Sequence, residues 1–415
     1  MAFAALYRIY AGFINPPQAK KENDAIRFGL LGASNIAPFA LIKPAQAHSE
    51  VIVAAVAARD RSRAEAYAKK HDIPIVHASY EDLLNDPTID AVYIALPNSL
   101  HFEWALRALN ARKHVLLEKP SCSNAEEAKK LFNHPLLKGP NAPVLLEAFH
   151  YRFHPAWQMF LSFVHDESMA GPVKHVSAEQ YLPKGVIPND DIRWRYDLSG
   201  GALMDFGTYP LSCLRQILRE EPTEVLQVKE RVDLPSESQP AEQAITATYK
   251  TESGATGHIV ADLATTSSWM KALPGFGWPK CQVELEEKQI GDDKNRTVQR
   301  KVTIWNHIVP SLYHRIDVEN THKIYRDDGD LLKTWKESQF LKAYTWAPED
   351  GRGVTGQTWW STYLYQLNEF VNKIKGRDGS GVWVDGEDSI KQMDAIDLTY
   401  LKAGLKVRPT STFEL

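Results

Sequence analysis

The 415-residue chain has only three cysteines, Cys122, Cys213 and Cys281, scattered along its length. A small, odd set argues against a disulfide framework and for a reducing compartment, the cytoplasm. No apolar run approaches the roughly 20 residues needed to span a bilayer. There is no sustained basic stripe and the net charge is -4, which removes the electrostatic basis for nucleic-acid binding. Internal repeats and low-complexity segments are also lacking. The first 24 residues have no acidic residue before Glu22, a single arginine (Arg8) and no serine. Arg8 interrupts the apolar start and spoils a secretory signal, and a mitochondrial presequence would need more arginine and serine. The expectation is an N-terminal helix packed on the body of the protein.

What is present is an ordinary globular balance, 44% hydrophobic and 24% charged, in a chain too long for one core. The apolar runs "IRFGLL" (26–31), "VIVAAVAA" (51–58), "AVYIAL" (91–96), "HVLLE" (114–118) and "APVLLEAF" (142–149) read as strands. The stretches "RSRAEAYAKKH" and "LHFEWALRALNAR" between them read as helices, the second with Phe102, Ala105, Leu106 and Leu109 on one face. This alternation predicts parallel βαβ units in a doubly wound sheet, with ligands beyond the carboxyl ends of the strands. Lys119 in "HVLLEKP" stands at one such end.

Two further absences are informative. The turn after the first strand, "GLLGASNIA", fits a dinucleotide fingerprint at Gly32 and Ala37 but has Ser34 where a second glycine is usual. A small serine still lets the backbone of Gly32, Ala33, Ser34, Asn35 and Ile36 approach a pyrophosphate. The second strand ends without the acidic residue that receives the ribose hydroxyls of NAD; Ala58 is followed by Arg59, Arg61 and Arg63. A guanidinium at Arg59 suits a 2′-phosphate, so the cofactor expected is NADP, with NAD the alternative.

The segments "IRFGLLGASNIA", "ALPNSLH", "VLLEKP", "EAFHYRFHP" and "GGALMDFGTYP" occur in that order. Together they resemble the glucose–fructose oxidoreductase / inositol dehydrogenase / rhizopine catabolism family. The tyrosine of "DFGTYP" is most similar to the branch of dimeric dihydrodiol dehydrogenases and fungal NADP-dependent D-xylose dehydrogenases. The resemblance implies an α/β fold: a Rossmann domain at 25–150 after the 1–24 extension, then an α+β domain at 151–415 with an open, mostly antiparallel sheet. It implies a homodimer formed through that sheet, and C-terminal helices free to pack back on the first domain. Alternation in "VKHVSAEQYL", "EQAITATYKT", "GATGHIVADL", "CQVELEEKQ" and "RKVTIWNHI" is consistent with such a sheet. Helical faces follow in Leu364, Leu367, Phe370, Val371 and Ile374, and in Ile390, Met393, Ile396 and Tyr400, with Gly404 as a C-cap. Residues 264–356 match the family pattern least, and the stretch from Asp327 to Lys342 receives no element.

The resemblance places Lys119 and Tyr209 at the two catalytic positions. Asp205 precedes Tyr209 by four residues, one helical turn, so both side chains are expected to enter one cleft. A nearby ammonium would lower the phenol pKa from about 10 and make Tyr209 a base; Lys119 itself as base stays open. Glu118 is expected to hold Lys119 or meet the cofactor ribose, and Pro120 to fix the backbone through a cis bond. Pro97, Asn98 and His101 match a loop beside the nicotinamide. Arg152 matches a motif at the domain junction, where it is expected to pack, and is also a candidate substrate ligand; Trp194 either stacks on a sugar face or is an ordinary buried tryptophan, and Asp205 either binds a sugar hydroxyl or positions Tyr209. His150 and His154 have metal-ligand spacing, but no matched third ligand, so no metal is expected. The implied reaction is hydride transfer between NADP and a carbohydrate, such as an aldopyranose at C1, or a cyclic trans-diol. Two alternatives remain: an NAD(P)-sensing regulator, against which the retained lysine weighs, and an NAD-dependent glycoside hydrolase.

Overall fold

The computed structural model describes residues 2–232, 241–267, 274–291, 294–347 and 356–415. The first sheet contains β1 (Ile26–Leu31), β2 (Val51–Ala57), β3 (Ile75–Val76), β4 (Ala91–Ile94), β5 (His114–Leu117) and β6 (Leu145–Glu147). All pairs are parallel and the order is 3-2-1-4-5-6. The order reverses between β1 and β4, which opens a crevice at their carboxyl ends. The central strands are buried on both faces, and this is why they read as unbroken apolar runs rather than alternating ones.

The helices of this part of the chain are α1 (Ala2–Ile9), α2 (Lys43–Ala47), α3 (Arg61–His71), α4 (Tyr80–Asn85), α5 (His101–Asn110), α6 (Ala125–Phe132) and α7 (Pro155–Val164). Side-chain caps fix their starts: Asp60 accepts the Arg63 N–H and Asn124 the Glu127 N–H.

The second sheet begins with β7 (Val173–Pro183), β8 (Glu224–Arg231) and β9 (Ala244–Lys250), with helix α8 (Thr208–Leu218) inserted after β7. It continues through β10 (Thr256–Thr265), β11 (Lys280–Leu285), β12 (Lys288–Gln289), β13 (Arg296–Trp305), β14 (Arg315–Tyr325) and β15 (Leu331–Leu341). The order is 15-14-13-11-7-10-9-8 with β12 on β13, and only β7–β10 is parallel. Helices α7 and α8 cover one face; the other is half-exposed, which produces the period-2 alternation. β15 occupies the stretch from Asp327 to Lys342 that sequence left unassigned, and pairs with β14 just before it. "SSWMKALPGFGWPK" falls partly outside the described residues.

Helices α9 (Thr362–Ile374) and α10 (Gly386–Lys402) return to the first sheet. Phe370 of α9 lies 5.9 Å from Phe28 of β1, and Asp394 of α10 pairs with Lys129 of α6 at 2.6 Å. Arg408 then crosses to the second half, where it meets Glu242 at 2.5 Å. The N-terminal helix packs on the body: Arg8 donates to Ser311 O at 3.0 Å and lies 4.0 Å over the Tyr344 ring. Among the described residues, no helix is long and apolar enough to cross a membrane.

Candidate active site

The loops that follow β1, β2, β4 and β5 gather at the crevice. Gly32 has φ +102°, and a Cβ there would stand 3.3 Å from Ala95 O and 3.0 Å from Leu96 Cδ2. Only glycine fits this left-handed, closely approached turn. Ser34 caps the next turn by accepting the Ala37 N–H at 3.3 Å. Arg63 donates to Ala33 O at 3.0 Å and Tyr67 to Ser34 O at 2.9 Å, which leaves Asn35 and Ile36 exposed at the tip. Arg59 is exposed beyond β2, while its acidic neighbour Asp60 is engaged in capping α3. Pro97 opens the loop after β4, and the Asn98 amide donates to Ser199 O at 2.9 Å, tying that loop to the second half of the chain. This cradle fits a dinucleotide: a close-packed glycine turn, then an uncommitted guanidinium beyond the neighbouring strand.

Lys119 follows β5, with a cis Lys119–Pro120 bond. Its ammonium donates to Asp205 Oδ1 and to Asp205 O, each at 2.9 Å. Asp205 Oδ2 accepts from Arg193 Nε at 2.6 Å. Burial would raise this carboxyl, but the charges of Lys119 and Arg193 outweigh it and hold Asp205 well below the usual carboxylate range. Asp205 lies in a π-helical turn, Leu203–Gly207, that runs directly into α8 and carries Tyr209 to the same cleft. The Lys119 ammonium is 4.9 Å from the centroid of the Tyr209 ring. Lys119, Asp205 and Tyr209 are therefore brought together.

The electrostatics differ from the sequence expectation. Lys119 faces the Tyr209 ring, while the phenol oxygen meets His150 Nε2 at 3.0 Å. Burial, with Tyr363, Glu118 and Asp205 nearby, pushes the Tyr209 pKa well above 10 rather than down. Glu118 does not pair with the ammonium of Lys119. Its carboxylate accepts from Tyr93 OH at 2.6 Å and from the Lys119 backbone N–H at 3.2 Å, and burial raises its pKa.

Three other candidate ligands are buried. His101 is 1% exposed and both ring nitrogens face backbone oxygens, Pro120 O at 2.8 Å and Leu96 O at 3.0 Å, so no polar atom is left for a cofactor. Arg152 is also 1% exposed; it pairs with Asp388 of α10 and donates to Ser212 Oγ, a junction clamp out of a substrate's reach. Trp194 packs with Ile187, Ala202 and Leu263, and its ring N–H donates to Pro188 O at 2.7 Å. His150 and His154 diverge: His154 Nδ1 caps Ala156 N–H, whereas His150 turns to Tyr209. Among the described residues, no three His, Cys, Asp or Glu side chains converge as metal ligands. Sequence reasoning missed Arg193 as the second partner of Asp205 and His150 as the partner of Tyr209. His150 sits inside a quoted motif, but the residue that it meets lies 59 positions away.

Residues 26–135 match the model of the oxidoreductase family with an NAD-binding Rossmann fold, and residues 164–286 match the GFO/IDH/MocA C-terminal domain. The chain belongs to the GFO/IDH/MocA family. Among its relatives, D-xylose 1-dehydrogenase (NADP(+)) 2 of Haloferax volcanii is 42% identical over 193 residues, 46% of this chain and 57% of the relative. Trans-1,2-dihydrobenzene-1,2-diol dehydrogenase of Sus scrofa is 34% identical over 194 residues, 46% of this chain and 56% of the relative. The matches thus span little more than half the length of these relatives. Among solved structures, a 3-ketoreductase from Actinomadura kijaniata in complex with NADP and TDP-benzene aligns with TM-score 0.66 at 23% identity, covering 91% of this chain and 98% of that one. That likeness shows a shared fold over 91% of this chain.

Proposed function

We propose that this GFO/IDH/MocA chain is an NADP-dependent oxidoreductase that moves a hydride between the nicotinamide and a carbohydrate or cyclic-diol carbon, with Lys119 and Tyr209 as the acid/base pair. The observation that carries the reading is the meeting of the Lys119 ammonium and the Tyr209 ring, 4.9 Å apart, at the carboxyl edge of the parallel sheet. The names of the relatives, a xylose dehydrogenase and a dihydrodiol dehydrogenase, support the substrate class. Gly32 to Ile36 would receive the pyrophosphate and Arg59 the 2′-phosphate, with Pro97 and Asn98 bordering the nicotinamide. Bound there, the cofactor supplies the hydride acceptor or donor. The chain supplies a fixed ammonium, held by Asp205, that polarises the substrate oxygen, and a phenol that exchanges its proton.

The outward face of the second sheet, which presents Tyr181, Trp305 and Tyr325 among charged neighbours, is the surface assigned to a homodimer. Three buried, unbridged thiols suit the cytoplasm. The test is nicotinamide reduction by purified protein across pentoses, hexoses and trans-dihydrodiols, each with NADP⁺ or NAD⁺. Turnover with at least one class, faster with NADP⁺, is expected. Cofactor binding without turnover on any of them would favour a sensor, and release of an aglycone without net reduction would favour a glycoside hydrolase.

A further inference from the structure

The phenol of Tyr209 is not free at the cleft. Tyr209 is 4% exposed and its oxygen meets His150 Nε2 at 3.0 Å. His150 is 2% exposed, and its other nitrogen, Nδ1, is 2.8 Å from Thr362 Oγ1. Thr362 is the first residue of α9, whose start is fixed by the Ser361 cap. The ring of Tyr363 lies against the imidazole with centroids 4.1 Å apart. Three side chains from separate segments therefore form one line, Tyr209–His150–Thr362. Lys119 faces the Tyr209 ring but makes its two hydrogen bonds to Asp205, outside this line.

We infer that His150 is a positioning residue that takes up the Tyr209 proton, with Thr362 holding its ring in the tautomer that leaves Nε2 free to accept. The inference rests on the reading of Tyr209 as the acid/base group. In the oxidative direction the substrate hydroxyl gives its proton to Tyr209 Oη, while the proton already on Oη passes to His150 Nε2. The carbinol C–H bond breaks with its electron pair moving to the cofactor, and the C–O bond becomes a carbonyl. Nδ1–H of the protonated ring donates to Thr362 Oγ1. After the product leaves, the proton returns through Oη to water in the cleft; reduction runs the same steps backwards.

The surroundings suit a transient carrier rather than a proton store. Lys119 at the end of β5 and His307 beyond β13 both oppose a positive imidazole, and the groups around Tyr209 are Tyr151, Tyr363, Glu118 and Asp205. Burial, then Lys119 and His307, brings His150 down to about 3, so it rests neutral with Nε2 open as a hydrogen-bond acceptor, and the same groups make any positive charge on it short-lived. A free Tyr209 phenolate is disfavoured by the same burial, and concerted transfer avoids it.

His150→Gln keeps an amide near Nε2 that can hold the phenol but cannot carry its proton. It should lower kcat by about 10²-fold, leave the KM for NADP⁺ unchanged, and make the residual rate rise with pH as hydroxide replaces the carrier. In a Tyr209→Phe background the same change should cost nothing further. Thr362→Val, which removes the ring's other partner, should lower kcat in the same direction by less, and Thr362→Ser should restore it; this pair decides the matter if His150→Gln does not fold. Wild-type kcat and pH profile in His150→Gln, or in Thr362→Val, overturn the inference while the role of Tyr209 stands. Wild-type turnover in Tyr209→Phe overturns that underlying reading instead.

Discussion

Two carboxyls drawn out of bulk water meet opposite fates in two parts of the molecule. Asp205, 14% exposed at its side chain, lies between Lys119 and Arg193 and stays ionised. Glu147, fully buried at the end of β6, has the Ser121 backbone N–H at 2.8 Å and the Ser389 hydroxyl as partners, with Asp388 and Arg152 nearby acting in opposite directions. Burial pushes it up to about 7. The same division runs through the whole site. The side that carries Lys119 and Arg193 is held together by charge; the side that carries Tyr209, His150 and Thr362 is held by burial and neutral hydrogen bonds. Burial alone does not set a protonation state; the number of countercharges within reach does. The division sets an ammonium paired with a carboxylate beside a buried phenol that keeps its proton.

Breaking each side separately sharpens this contrast. The largest effect is expected from Lys119→Met and Tyr209→Phe. Each should lower kcat by about 10³-fold, near the middle of the range for lost acid/base catalysis, with NADP⁺ affinity nearly intact by fluorescence titration. Asp205→Asn attacks the charged side through its anchor. It leaves two cations without their shared anion, so chemical denaturation should show a loss of about 3 kcal/mol, and kcat should fall with it.

Glu147→Gln tests the other carboxyl, where the sign is reversed. A carboxyl raised from 4.5 to about 7 in the fold gives stability that is fully present below pH 4.5 and lost as pH rises through 7. Up to about 3 kcal/mol is involved. The glutamine variant should therefore have a flatter pH–stability curve and a higher Tm than wild type at pH 8, read by calorimetry. The smallest effect belongs to the cofactor loop. Arg59→Ala should raise the KM for NADP⁺ by about tenfold, the loss of one charge-assisted contact, and leave that for NAD⁺ unchanged.

The parallel sheet was legible because its strands are buried on both faces and separated by capped helices of regular length. β15 was not, because it is an edge strand in which almost every residue is exposed, so no alternation marks it. β14 alternates, but with polar residues such as Asn320 and His322 on its inner face, and the pattern blurs. Within the site, Lys119, Asp205 and Tyr209 could be read because motif and spacing pointed the same way. For Arg152, Trp194 and His101 the sequence left a ligand role and a packing role side by side, because arginine, tryptophan and histidine suit a binding site and a buried contact equally; only burial separates the two. The His150–Thr362 contact spans 212 positions and no local pattern announces it.

A crystal structure with NADP⁺ bound tests the central claim most directly. The expected result is a nicotinamide ring whose C4 faces the space bounded by Lys119 Nζ and Tyr209 Oη, with the 2′-phosphate against Arg59. A ring seated away from that pair, or a Tyr209 oxygen that no substrate atom beside C4 could reach, would contradict it.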